Sequence, residues 1–125
     1  MLPLAILFSI AIVAYDALSA GIALAVGISY NSFLVLALVL FFFMGVLAGR
    51  KARSWAGILP VIVGAIADAT VGWYVAALIG PGYVPGWTMR DLITLAAESV
   101  ALSTAIGALG VWIGLGVAGR RRQLF

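Results

Sequence analysis

The chain has 125 residues, of which 66% are apolar and only 9% charged, with a formal net charge of +3 and a mean hydropathy of +1.26. A soluble domain carries roughly a quarter charged residues, so this composition belongs in a bilayer, where lipid replaces water around most side chains. Cysteine and histidine are both absent, which excludes disulfides, thiolate chemistry and the commonest general base and metal ligand; no enzyme, cofactor or metal site is expected.

Four hydrophobic segments follow in chain order, at approximately 3–28, 33–49, 55–79 and 92–118, parted by "SYNS", "GRKARS" and "GPGYVPGWTMRD". Each approaches the ~20 residues that cross a hydrocarbon core ~30 Å thick. The pattern predicts an all-α integral membrane protein, a single domain over 1–125 with four transmembrane helices in an antiparallel bundle. In the first segment no basic residue precedes the apolar run, and Asp16 interrupts it ahead of "LSA". It therefore reads as a membrane span and not as a cleaved signal. The second is the shortest, and Phe41, Phe42, Phe43 and Met44 make it the most lipid-like. The connection before the fourth carries Pro81, Tyr83, Pro85 and Trp87, which suits a short surface turn with aromatic anchors at the headgroups.

Basic residues set the orientation. Arg50, Lys51 and Arg53 lie between the second and third segments, and Arg120, Arg121 and Arg122 follow the fourth, so six of the seven share one side. The positive-inside rule makes that side cytoplasmic, with both termini in and the chain multi-pass in the inner (plasma) membrane. Placed beside hydrophobic spans, these charges are topology signals, and no nucleic-acid partner is expected.

The acids are the candidate functional groups. Asp68 lies within "AIADATVG", far from any basic residue, where a carboxylate costs roughly 2.5 to 3.5 kcal/mol on insertion scales. Asp16 in "YDALSAG" occupies the matching place in the first segment, which hints at a duplicated two-helix hairpin. At 1.5 Å per residue both stand roughly 20 Å from the inner face, and Glu98 reaches a similar depth from the other side. Three carboxyls from three helices are therefore expected in one layer. Gly57, Gly64, Asp68, Gly72 and Ala76 recur near helical spacing, as do Ser9, Asp16, Ala20, Ala23 and Gly27, so both aspartates are predicted to point into protein. Glu98 lies opposite the face of Ser103, Gly107, Gly110 and Gly114; it either joins the layer or snorkels to the outer interface.

With no cation at that depth, low dielectric and mutual repulsion disfavour full ionisation, so at least one acid should hold a proton unless a cation is bound. Tyr15, Ser19, Thr70, Thr94 and Ser99 are the neighbouring candidates for hydrogen bonding. Two functional readings follow. In the first the glycine and alanine stripes drive a homo-oligomer and protonated acids donate hydrogen bonds between helices. In the alternative Asp16 and Asp68 exchange a proton or cation in a small transporter or channel. The partners implied are the lipid bilayer, further copies of the chain, and a proton or cation. An enzyme is disfavoured, because the Gly-x-Gly-Asp pattern of membrane aspartyl proteases is absent: Ile66 and Ala67 precede Asp68. "GALGVWIG" at 107–114 follows no strand and ends in no lysine, so its glycines serve packing.

Two resemblances accompany these readings. Residues 45–80, with Gly45 and Gly49 before a polar turn and then Gly64, Ala65 and Gly72, resemble the glycine-rich core of small bacterial transglycosylase-associated membrane proteins. That likeness implies a small oligomeric membrane protein and no reaction; Asp68 stands where the pattern has a small residue. In architecture alone the chain is similar to small multidrug-resistance transporters, short four-span proteins with an essential acid in the first helix. Asp16 in "AIVAYDAL" stands where that family has Glu.

Overall fold

The computed structural model describes residues 2–28, 30–80, 86 and 88–124. Five α-helices form four membrane-length spans. They are α1 (Leu2–Val26), α2 (Leu34–Ala52), α3 (Ile58–Ala67) continued through a π-helical turn (Asp68–Gly72) into α4 (Trp73–Ile79), and α5 (Met89–Leu124). Short 3-10 turns at Tyr30–Phe33 and Trp55–Gly57 lead into α2 and α3, so the third span runs without a break from Trp55 to Ile79. The four-span, all-helical membrane protein read from the sequence is what forms. Pro81, Tyr83, Pro85 and Trp87, the expected surface turn, lie outside the described residues, as do the side chains of Arg120, Arg121 and Arg122.

Local chemistry accounts for the boundaries. Gly27 (φ 78°) ends α1, its N–H donating to the Ala23 carbonyl over 2.9 Å. Arg53 takes the left-handed conformation (φ 52°) after α2 and donates to Gly49 over 3.0 Å. Pro60 falls in the first turn of α3, where its missing N–H leaves no bond unmade. At the start of α5, Thr88 and Asp91 form a reciprocal cap: the Asp91 N–H donates to Thr88 Oγ1 over 3.3 Å, and the Thr88 N–H donates to Asp91 Oδ2 over 3.0 Å. The fourth span thus begins at Met89, ahead of the predicted 92, because "TMRD" is a capping box and not loop. The second span likewise runs to Ala52, past the predicted 49, since Arg50 and Lys51 favour the carbonyl end of a helix.

The spans run up, down, up and down, yet the closest packing joins parallel helices: α1 lies along the third span and α2 along α5, while α1 and α2 scarcely touch. Along the α2–α5 seam Gly45 meets the Gly107 carbonyl, Gly110 meets that of Phe42 and Gly114 that of Val46. Backbone presses on backbone, which only glycine permits. Gly57 fits against the Ala48 carbonyl in the same way, and Gly64 sits between Phe8 and Met44. A core of Leu4, Phe8, Ile12, Phe41, Val61, Ala65 and Val111 fills the rest of the Arg50 half of the bundle. Phe41 is fully buried, unlike the lipid-facing role its run of aromatics suggested; Phe43 is the ring that faces outward.

Candidate functional site: a carboxyl pair between parallel helices

The buried face of α1 carries Ile12, Asp16, Ser19, Ala20 and Ala23. Asp16 is only 4% exposed. Opposite it, the π-helical turn begins at Asp68 and ends at Gly72, and both of those residues meet Asp16. The Asp68 and Asp16 carboxyl groups lie within hydrogen-bonding reach of each other. A Cβ at Gly72 would run into Asp16 Oδ2, so the absence of a side chain there makes the seat for the carboxyl. The turn is wide because the Trp73 N–H reaches back five residues to the Asp68 carbonyl. Such π-turns are rare and recur at functional sites.

A hydrogen bond between two carboxyl groups requires a proton on one of them. Two carboxyl groups this close can share a single proton, and the basic residues with described side chains lie elsewhere: Arg50 and Lys51 end α2 and Arg53 caps it, while Arg90 lies in the first turn of α5. Tyr15 borders both carboxyl groups. Its hydroxyl donates to the Phe33 carbonyl over 2.7 Å. With that hydrogen committed, the Tyr15 oxygen accepts from the Ser19 hydroxyl, with which it is also bonded. One polar chain thus runs from Ser19 through Tyr15 to the backbone that opens α2.

Of the residues singled out from sequence, the fold brings Asp16, Asp68, Tyr15 and Ser19 together, with Gly72 as their support. The three-acid layer does not form. Glu98 is exposed, and among the described residues the α5 backbone makes no close approach to that of α1 and no three acidic side chains gather. The cause is the glycine face of α5: seated on α2, it turns the opposite face, with Glu98, outward. Thr70 and Thr94 are spent on their own helices, donating to the Ile66 carbonyl over 2.7 Å and the Arg90 carbonyl over 2.8 Å. Ser99 stays on α5 beside Glu98, half-buried. Gly57, Gly64, Gly107, Gly110 and Gly114 pack within the chain.

Sequence reasoning missed the π-turn and the tie from Tyr15 to Phe33. The β-branched pair Thr70 and Val71 between Asp68 and Gly72 was the only local sign of irregularity, and nothing in the residues forecast which carbonyl Tyr15 would reach. No family model, curated protein or solved structure matches the sequence. Fold and composition define the class, a small four-span integral membrane protein.

Proposed function

We propose that this protein exchanges protons for a cation across the membrane through the Asp16–Asp68 pair. The observation that carries the reading is the close approach of the two carboxyl side chains, with Asp16 seated against Gly72, in a span whose backbone opens into a π-turn at the same residues. Chemistry supports it as follows. Loss of the shared proton leaves two carboxylates in contact, an arrangement that low dielectric penalises. A monovalent cation entering as the proton departs keeps the charge of the site unchanged. The donors at hand are carboxyl and hydroxyl oxygens, which suit protons and hard cations over soft metals. Four spans enclose little space, so the pathway belongs at the boundary with a second copy. The glycine faces being filled within the chain, such a homo-oligomer would use other surfaces. The basic residues at one end favour both termini on the cytoplasmic side of the plasma membrane.

The test is flux in liposomes holding a pH-sensitive dye. Wild-type protein should acidify or alkalinise the lumen in response to a cation gradient, and Asp68→Asn should abolish the response. Equal flux from the two proteins would remove the reading. A second reading, a protonated clamp fixing α1 to the third span, is favoured by the fit of Asp16 against Gly72. It expects no flux from either protein and a lower unfolding temperature for the variant.

A further inference from the structure

We infer that the Arg50 end of the bundle is a binding site for the phosphate headgroups of anionic lipids. Three observations converge. First, the α2–α5 seam brings both basic clusters to one place: Gly114 lies against Val46 and the Arg50 backbone, and α5 continues as helix to Leu124. Arg120, Arg121 and Arg122 follow Gly114 by six to eight residues, a helical rise of ~9 to 12 Å past the level of Arg50.

Second, the nearer cluster is presented on a fixed turn. Arg50 and Lys51 are exposed in the last turn of α2, and the left-handed cap that follows holds Arg53 outward, with its N–H bonded to Gly49. Ser54 closes the turn by accepting from the Ala56 N–H over 3.2 Å, and Gly57 presses the start of the third span onto Ala48. These contacts limit how far the three cations can part.

Third, this end has no counter-charge of its own. The four acids are Asp16, Asp68, Asp91 and Glu98. Two form the pair inside the bundle, and Asp91 and Glu98 belong to the opposite half of α5. Six basic residues without an acid, gathered at one end of the bundle, favour a phosphodiester fixed in the bilayer over a free anion. Trp55 is exposed on the same turn, where an indole suits the interface.

The test uses the full chain reconstituted in bilayers of equal phosphatidylglycerol and phosphatidylcholine, extracted in mild detergent, with retained lipid measured. Phosphatidylglycerol should be enriched about five-fold or more over phosphatidylcholine, the preference that one basic residue near the surface can supply, and the enrichment should fall as salt is raised. Substituting Arg120→Gln, Arg121→Gln and Arg122→Gln together should lower it several-fold. Arg50→Gln with Lys51→Gln should do the same, and two independent sets guard against one failing to fold. Retention at the bulk ratio by wild-type protein would overturn the site, as would a ratio that neither set changes. Displacement of the lipid by inorganic phosphate or by a short DNA duplex would also overturn it, by assigning the patch to a soluble polyanion.

Discussion

Two seams hold this bundle, and they solve the same problem differently. Both join parallel helices, α2 with α5 and α1 with the third span. Along the first, Gly45, Gly49, Gly110 and Gly114 remove side chains altogether and bring backbone onto backbone. Along the second, Gly64 admits Phe8 and the space left at Gly72 goes to a carboxyl, that of Asp16. In lipid, where no hydrophobic effect drives helices together, both devices supply attraction, dispersion in one seam and a polar contact in the other. The difference is that the glycine seam has no group able to change state. Only the carboxyl seam carries titratable groups, so under the proposed function the first is scaffold and the second is the place where chemistry is available.

The glycine seam should be the less forgiving of the two. Gly110→Leu would drive a side chain into the Phe42 carbonyl and the Val46 backbone N, neither of which can swing aside. Overpacking of this kind costs about 3 kcal/mol or more. The expected result in detergent is loss of the folded state or a large fall in its midpoint on titration with a denaturing detergent. Retention of wild-type stability would show that α2 and α5 are not held at backbone contact.

Gly72→Ala should have a smaller effect on stability and a larger one on the site. The added Cβ meets Asp16 Oδ2, the movable end of a side chain, so the carboxyl can turn away at a cost of about 1 kcal/mol. Turning away takes it out of reach of Asp68. Folding should therefore survive while proton flux in liposomes falls in step with Asp68→Asn. If Gly72→Ala leaves flux intact and lowers stability by several kcal/mol, the two seams are alike and the second is scaffold as well.

How much of this contrast was readable in the residues depends on the length over which a signal is averaged. Four spans were legible because hydrophobic length is summed over ~20 residues, so a few misplaced positions do not matter. The glycines of α5 could be assigned to one face, since three of them, 107, 110 and 114, recur at helical spacing. Which helix that face would meet was not legible. Asp16 and Asp68 were matched by depth, a count along each helix, and the fold does pair them. Glu98 passed the same count and failed, because depth fixes one coordinate and leaves rotation free. The rotation of α5 is set by its seam with α2, a tertiary contact absent from any single segment. The capping box at Thr88 and Asp91 was written locally and could have been read; the π-turn had no local signal beyond the β-branched pair Thr70 and Val71.

Glu98 gives the smallest expected effect and the sharpest limit on the comparison. It stands exposed on the helix of the glycine seam, so by itself it belongs to neither device. A carboxyl near the end of a span can reach the interface along its own stem, and replacement by glutamine then removes little. Glu98→Gln should leave both the unfolding midpoint and proton flux unchanged, within about 0.5 kcal/mol for stability. A loss well beyond that figure would require a partner over this face of α5, because the described part of the chain offers none against α1. Measuring the variant at two protein-to-lipid ratios separates the cases: an effect that grows with protein density comes from a second copy covering Glu98, and an effect that does not change with density comes from within the chain. In the first case the outward face of α5 would be a third seam, formed between molecules, and the acid on it would stand in the same relation to that seam as Asp16 does to the one inside.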